Sequence, residues 1–296
     1  MRGSRPERAL EEQIEREGVL RHGERVLVAC SGGADSVALA AALHAVSSPM
    51  HLTLTLAYVH HGTRDSAWQD ECVALRVAAA LGIDARVVGL AARERDEASL
   101  REARYGALAD VARACGCTVV ATGHHAEDQS ETVLLALFRG AGIEGLGGMR
   151  PRRSLVEGID VVRPLLRVPA AILLAYCHTH ALPYAVDPTN ADVSLRRNAV
   201  REALAILRPR FPGLDAAIAR AATVVGDERE HAPRADLRRG VRTALAEASG
   251  LADVDFAHVE AVVRALERGN SGRFFMKSGV ELRVDRGEIA DIQHNE

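Results

Sequence analysis

The chain has 296 residues, of which 48% are hydrophobic and 26% charged, and this allows one large α/β domain with a smaller second one. No apolar run approaches the 18 residues of a membrane span and the charged start is unlike a signal peptide, so we expect a cytoplasmic protein with no membrane association. The net charge of −3 argues against nonspecific nucleic-acid binding by the whole surface, and five cysteines without a Cys-x-x-Cys pair are expected to be buried thiols.

Segments typical of strands and of helices alternate through the first half of the chain. Strands are predicted at Arg25–Cys30, His51–His60, Ala85–Leu90 and Thr118–Thr122. Helices are predicted at Pro6–Leu20, Ala34–Ala45, Asp65–Leu81, Ser99–Cys115, Glu127–Phe138 and Val168–Ala181, and from about Leu195. This alternation predicts an α/β fold, a Rossmann-like parallel sheet with helices on both faces, which binds ligands at the carboxyl ends of its strands.

The remaining segments are less regular. Gly140–Gly148 is too glycine-rich for a helix and is predicted to be a loop. The prolines and glycine of Arg208–Gly213 indicate a domain boundary, which gives a catalytic domain at 1–210 and a smaller domain at 211–296. We expect the smaller domain to be mainly helical, with a β-rich end at Arg273–Ile292.

Positive charge is concentrated in one stretch. Between Arg139 and Arg210, eleven arginines are set against six acidic residues. A local basic surface suits a polyanion such as tRNA or ATP. The alternative is a general preference for arginine, since Lys277 is the only lysine.

A glycine-containing string, Cys30–Ser36 (CSGGADS), joins the first predicted strand to the next helix. Two glycines allow a tight turn that brings backbone N–H groups toward one point, where the helix N-terminus adds positive potential. Asp35 can hold a hard cation such as Mg²⁺. Because no Gly-Lys-Ser/Thr follows, this is not the Walker pattern. An ordinary strand–helix turn is the alternative.

Further polar strings occur later in the chain. They are His60–Arg64 (HHGTR), Glu102–Tyr105 (EARY) and Ala121–Thr132 (ATGHHAEDQSET). His124 and His125 with nearby acidic residues could form a zinc site, but no cysteine is near and adjacent side chains face two directions. A structural role for the histidine pair at the helix start is a second alternative.

SGGADS resembles the phosphate-binding loop of the PP-loop ATP pyrophosphatases, which cleave ATP between the α- and β-phosphates. Together with the other strings it closely resembles the tRNA(Ile)-lysidine synthetase family within that superfamily. The resemblance runs from about Arg25 to Arg210 and includes three later strings: RPLL at Arg163–Leu166, DPTN in the predicted ordered loop Pro183–Asn190, and RRNAVR at Arg196–Arg201. One departure is Glu127, where relatives commonly carry Asp. The resemblance implies that the small domain at 211–296 binds tRNA or substrate, although this part is short beside relatives with two extra domains.

The resemblance implies a reaction with ATP and Mg²⁺ in which the wobble cytidine of a tRNA(Ile) with a CAU anticodon is adenylated and then joined to free L-lysine. The residues implied to bind ATP are Ser31, Gly32, Gly33, Ala34, Asp35 and Ser36. Asp35 and Asp128 are expected to bind Mg²⁺. Arg104 and Arg201 are candidates for stabilising phosphate charge, and His125 for orienting the nucleotide or transferring a proton. Because lysine carries two ammonium groups, its pocket needs acidic residues, and Asp128 and Glu131 lie on one helix face.

Other functions remain open at this point. A tRNA cytidine thiolase of the same superfamily would normally show Cys-x-x-Cys pairs, and Cys115-Gly116-Cys117 is one residue too close. A glutamine-dependent amidotransferase needs a glutaminase domain, for which the length leaves no room. A nucleotide-binding module without activity would not require the acidic HHAEDQSE segment. The sequence also leaves a homodimer open.

Overall fold

The computed structural model describes residues 9–60, 67–90, 97–141, 143–185, 195–229, 233–249, 256–276 and 280–294. In these ranges no helix combines the length and the apolar character that crossing a bilayer requires. Contacts divide the chain into a first unit, Met1–Gly140 with Gly148–Ala219, and a second unit, Ala141–Gly147 with Arg220–Glu296. The boundary at residue 210, inferred for the functional domains, stays a prediction.

A six-stranded sheet forms the centre of the first unit. Its strands are β1 (Arg25–Ala29), β2 (Thr53–His60), β3 (Asp84–Gly89), β4 (Val119–Ala121), β5 (Arg152–Val156) and β6 (Ile159–Val162). The strand order is β3-β2-β1-β4-β6-β5, and every neighbouring pair is parallel except β5 with β6. After β1 the chain adds β2 and β3 on one side of this strand, and it then returns to add β4 on the other side. At such a switch point the loops after neighbouring strands separate, and a crevice opens between them.

Helices of the first unit are α1 (Ala9–Glu17), α2 (Ala34–Met50), α3 (Ala67–Leu81), α4 (Glu97–Ala114), α5 (Ala126–Phe138), α7 (Ala170–Thr179) and α8 (Leu195–Leu207). A further helix, α9 (Leu214–Arg229), crosses from the first unit into the second. Alternate residues of β1 contribute to two apolar clusters. Val26 and Val28 pack with α2 and α7, whereas Leu27 packs with α4. The predicted parallel α/β sheet with helices on both faces is confirmed.

Several helices and strands differ from the prediction. α2 continues past Ala45 because Val46 and Met50 are buried in the core. α7 buries only one face, since Ile172 and Leu174 are exposed. The β5–β6 hairpin was missed, although Gly158 between the two strands has the positive φ, 75°, of a tight turn.

The second unit combines helices with a small sheet. It contains α6 (Ile143–Leu146), α10 (Pro233–Ser249), α11 (Phe256–Glu267), β7 (Gly272–Phe275), β8 (Val280–Asp285) and β9 (Glu288–His294). The three strands form an antiparallel sheet in chain order, as the predicted β-rich end requires. The glycine-rich segment predicted as a loop contains one helical turn, α6, and that prediction was wrong there.

Candidate functional site

Two loops meet at the switch point of the sheet. One connects β1 to α2 and contains Ser31–Gly33, and the other connects β4 to α5 and contains Thr122–His125. A methyl group added at Gly123 would lie 3.1 Å from the backbone carbonyl of Asp35. Because a side chain there would force the backbone at Asp35 to shift, glycine at position 123 allows the start of α5 to lie close against the start of α2. Motifs 87 residues apart in the chain, at Ser36 and Gly123, thereby form one site.

The conformation of the loop after β1 is fixed by a glycine and by hydrogen bonds of Ser36. Gly32 has φ 86°, and a β-carbon there would lie 2.6 Å from the carbonyl oxygen of Asp70 in α3, so only glycine fits. The Ser36 hydroxyl accepts a hydrogen bond from the Ser31 N–H at 3.1 Å and donates to the Gly33 carbonyl at 2.9 Å. Among the residues that the structure describes, no side chain caps the N-terminus of α2 at Gly33. A helix start of this kind, with its N–H groups and dipole, is suited to bind phosphate.

His125 lies among three carboxylates at the start of α5. Its Nε2 is 3.6 Å from Asp35 and 3.4 Å from Asp128, and its Nδ1 is 3.0 Å from Glu127. The His125 backbone N–H also donates to Asp128 at 3.1 Å. Glu127 in turn accepts the N–H of Ala170 at the first turn of α7. We call these four side chains the carboxylate cluster: Asp35, His125, Glu127 and Asp128.

The cluster shifts the protonation of its members. Burial by itself would lower the pKa of His125, but the hydrogen bond to Glu127 and the charges of Asp128 and Asp35 outweigh it and raise the pKa to about 9. Burial, partly offset by His125, raises the pKa of Asp35, and the charges of Asp128 and Glu127 act in the same direction. Burial opposes ionisation of Glu127 too, but its bonds to His125 and Ala170 lower its pKa. His125 is therefore a cation at neutral pH.

The neighbouring His124 has the opposite environment. Its Nδ1 lies 2.8 Å from the Thr122 hydroxyl. Burial, reinforced by the charges of Arg163, Arg101 and Arg104, lowers its pKa well below the ordinary value. His124 is therefore neutral at pH 7, although it is the next residue in the chain. The sequence argument that the pair faces two directions agrees with these partners.

Glu131 is the acidic residue of α5 that lies deepest. Its two carboxylate oxygens accept hydrogen bonds from Arg197 and Arg201 of α8, each at 2.6 Å. Arg197 also lies 3.6 Å from Asp128, so it joins Glu131 to the carboxylate cluster. The predicted lysine-binding pair thus differs in its surroundings. Asp128 faces His125, whereas both oxygens of Glu131 are engaged by arginines.

Other predicted residues occupy related positions. The guanidinium carbon of Arg104 lies 5.7 Å from the centre of the Tyr105 ring on α4, and burial lowers the Arg104 pKa. The structure therefore brings four features to one edge of the sheet: the loop Ser31–Gly33 after β1, which we call the phosphate loop, the carboxylate cluster, Arg104 and Arg201. His61–Arg64 and Asp187–Asn190, which complete two of the motifs, lie outside the described residues. The assigned roles stay predictions.

Two contributors to this edge were not singled out from the sequence. Arg197 precedes Arg201 by one helical turn in RRNAVR, and this i, i+4 spacing could have identified it. Gln129 is buried and exchanges two hydrogen bonds with the backbone of Met149, at 2.8 and 3.1 Å. A β-carbon at Gly148 would collide with the Gln129 side chain at 2.7 Å. Gln129 therefore anchors the segment that leads into β5, a long-range contact with no local sequence signal.

The donors at this edge suit Mg²⁺. Within the described ranges, no three His, Cys, Asp or Glu side chains group as a metal site on their own. Mg²⁺, however, is usually bound by one or two carboxylates together with substrate phosphates and waters. Asp35 and Asp128 both approach Nε2 of His125 from beside the phosphate loop, so their oxygens fit that donor set.

Comparison with known proteins agrees with this geometry. A family model described as a PP-loop domain matches residues 5–207. The chain is 37% identical to a tRNA(Ile)-lysidine synthase of Ralstonia nicotianae, with 81% of this chain and 54% of that protein covered. It is 34% identical to a tRNA(Ile)-lysidine synthase of Geobacter sulfurreducens, with 92% and 66% covered. The chain therefore spans about half to just under two thirds of the length of these relatives.

A solved structure shares the fold. The U34-tRNA thiolase from Methanococcus maripaludis, solved with its 4Fe–4S cluster, is similar with a TM-score of 0.63 and 19% identity over 72% of this chain and 77% of that one. This likeness concerns the fold alone. The family model, in contrast, covers more than half of the chain, and its range contains both loops of the site. The chain belongs to the PP-loop domain family.

Proposed function

We propose that the protein is a tRNA(Ile)-lysidine synthetase, an ATP-dependent carbon–nitrogen ligase. The observation that supports the proposal is the contact between the phosphate loop and the carboxylate cluster at the switch point, because a loop suited to bind phosphate lies there beside a group of carboxylates. The similarity to relatives with that name supports the same reaction.

The proposed reaction has two steps. O2 of the wobble cytidine attacks the α-phosphorus of ATP. The bond between this phosphorus and the oxygen that bridges to the β-phosphate breaks, and pyrophosphate leaves. The ε-amine of lysine, after loss of its proton, then attacks C2, and the C2–O bond breaks to release AMP. The product carries lysine on C2 of the base. Catalysis of this kind depends mainly on positioning and on neutralising phosphate charge.

The phosphate loop and the carboxylate cluster have distinct roles in the proposal. The start of α2, with the Ser31 and Ser36 hydroxyls, binds the phosphates of ATP. Asp35 and Asp128 would hold Mg²⁺, which neutralises charge on phosphate oxygens when bound. His125, as a cation fixed by Glu127, orients the nucleotide.

The arginines and the acidic residues of α5 complete the site. Arg104 and Arg201 contribute positive charge toward the phosphates. Asp128 supplies negative charge for an ammonium group of lysine. Because both oxygens of Glu131 accept hydrogen bonds from arginines, we propose that Glu131 acts in the lysine pocket mainly by positioning Arg197 and Arg201.

The direct test is incubation of the protein with ATP, labelled L-lysine and a set of tRNAs. We expect label in tRNA(Ile) with the CAU anticodon, together with AMP and pyrophosphate, and none in elongator tRNA(Met) or without ATP. Label in no tRNA, with ATP consumed, would contradict the proposal. The substrates are cytoplasmic, and we propose that location for the enzyme. A mass measurement in solution distinguishes a monomer from a homodimer.

The thiolase alternative depends on the cysteines. Cys115 and Cys117 lie between the end of α4 and the start of β4, at the sheet edge opposite to the motif loops, and Cys117 is buried. Their distance from the site leads us to expect that Cys115→Ser with Cys117→Ser retains lysine transfer within about twofold, since small changes away from a site have effects of a few tenths of a kcal/mol. Loss of all activity without unfolding, or iron and sulfide in the purified protein, would favour the thiolase instead.

A further inference from the structure

Four arginines surround Tyr105 in the first unit. The guanidinium carbons of Arg101, Arg104 and Arg153 lie 5.4, 5.7 and 5.5 Å from the centre of the Tyr105 ring. Arg163, which directly follows β6, is only 2% exposed and has electrostatic contact with the same tyrosine. We call these four side chains the arginine cluster.

No carboxylate compensates the arginine cluster within the described part of the chain. Arg163 donates from Nη1 to the carbonyl oxygen of Arg150 at 2.7 Å, but its Nε has no hydrogen-bond partner there. Arginine stays charged even where burial lowers its pKa, as it does for Arg163 and Arg104. A buried charge without an opposite charge beside it is unfavourable, and several like charges together increase that penalty. The cluster is therefore suited to receive an anion.

The position of the cluster indicates which anion. Arg163 follows β6, Arg153 pairs with Val161 of the same hairpin, and Arg101 lies in the first half of α4. β4 separates β6 from β1, so the loop with His124 lies between the arginine cluster and the phosphate loop. The cluster thus borders the site on the side away from the start of α2, where the proposed ATP phosphates bind.

We propose that Arg101, Arg153 and Arg163 of the arginine cluster bind a backbone phosphodiester of the RNA substrate, next to the nucleotide that enters the site. Arg104, at the border of the cluster, keeps its proposed role toward the ATP phosphates. This inference rests on the proposed function and adds to it where the RNA chain lies. The planar fork of a guanidinium matches two phosphate oxygens, and several such forks at one place suit a single phosphodiester. Arg101 and Arg153 are partly exposed, so a phosphate can reach them. Arg163 is buried and adds positive charge from the protein interior.

The test compares Arg101→Gln with Arg153→Gln in one variant against Arg113→Gln. Arg113 is an exposed arginine on the same helix, with an exposed partner in Asp110, and is the matched control. The probes are a fluorescent anticodon stem-loop RNA with CAU, the same RNA with another anticodon, and an ATP analogue with a non-hydrolysable α,β-bridge. RNA affinity is measured at several salt concentrations, and a thermal melt is recorded for each protein.

We expect the double variant to lose RNA affinity by about tenfold per arginine, the loss expected for one charge-assisted hydrogen bond each. The loss is the same for both anticodons, because a backbone contact carries no sequence information. In a plot of the logarithm of the binding constant against the logarithm of the salt concentration, the slope becomes less steep by about 0.7 for each lost phosphate contact. Binding of the ATP analogue and the melting temperature stay as in wild type, and Arg113→Gln changes none of these quantities.

Other outcomes overturn the proposal. Unchanged RNA affinity with a lower melting temperature shows that the arginines only stabilise the fold around Tyr105. Weaker binding of the ATP analogue with unchanged RNA affinity shows that the cluster binds nucleotide phosphates. A wild-type protein that binds neither RNA overturns it as well. Wild-type RNA binding without lysine transfer to any tRNA overturns the proposed function alone, and the variant comparison then still decides the phosphodiester site.

Discussion

Two buried glutamates, one in each unit, are held by two arginines. Glu131 of α5 accepts from Arg197 and Arg201, and Glu260 of α11 accepts from two arginines of α10, Arg234 and Arg238. Both carboxylates are almost fully buried, at 4% and 5% exposure. The local chemistry is therefore nearly identical.

The difference lies in what surrounds each ion pair. Through Arg197, Glu131 is linked to Asp128 and so to the carboxylate cluster. The arginines that bind Glu260 are instead paired with further carboxylates of the second unit, Asp227 and Glu267. A buried ion pair is therefore weak evidence for function by itself, and its neighbours decide whether its loss affects chemistry or only folding.

Asp35→Asn should have the largest effect on activity, because it removes a cluster carboxylate that no arginine engages among the described residues. We expect pyrophosphate release to fall about 100-fold or more, the scale on which a single charge-stabilising group contributes. The side chain is 44% exposed, so the melting temperature should barely change. Asp110→Asn, in an exposed pair on α4, is the control. Adenylation at the wild-type rate would remove Asp35 from the site.

Glu131→Gln should lower activity and stability together. The change leaves Arg197 and Arg201 without their shared anion, and removal of one partner from a buried pair costs roughly 3–5 kcal/mol. Because α8 then loses its hold on α5, we expect adenylation without lysine and lysine transfer to fall by similar factors. Denaturant unfolding and both half-reactions are measured on one preparation. A selective loss of lysine affinity with normal adenylation would contradict the positioning role and support direct lysine binding, as inferred from the sequence.

Glu260→Gln should have the smallest effect on activity and a clear effect on folding. Burial alone would raise the pKa of Glu260, but hydrogen bonds from Arg238 and Arg234 outweigh it and hold the pKa below its ordinary value of 4.5. The stabilisation is thus fully present above pH 4.5 and is lost as the pH falls through the lower, folded-state pKa. We expect the variant to be less stable at pH 7 by about 3 kcal/mol and to lose part of this acid dependence.

Chemical unfolding between pH 7 and pH 3 checks the Glu260 prediction, with adenylation at pH 7 measured in parallel. Glu131→Gln is its natural counterpart, since the same substitution is made in the same kind of ion pair. If Glu131→Gln and Glu260→Gln lose stability equally and also lose activity equally, the link of Glu131 to the carboxylate cluster has no special effect on the chemistry.

Much of the first unit could be predicted because its signals are local. Apolar runs bounded by turn residues predicted β1 to β4, and SGGADS predicted the phosphate loop, whose Gly32 has the required positive φ. The β5–β6 hairpin was missed because its strands are short and Arg153 and Asp160 interrupt the apolar pattern. The length of α2 depended on burial against the core rather than on helix propensity.

The sequence by itself determined the parallel α/β sheet, the positions of the two motif loops and the acidic residues at the start of α5. Only the tertiary structure decided the charge of each histidine, because burial and partners from distant segments add to the local contacts. Burial, together with the charges of Arg163 after β6 and Arg101 of α4, lowers the pKa of His124 and keeps it neutral. For His125 the hydrogen bond to Glu127 and the charges of Asp128 and of Asp35, from the start of α2, outweigh burial and keep it protonated. Such pKa shifts depend on burial and on charges a few ångströms away, and chain contacts set both only after folding.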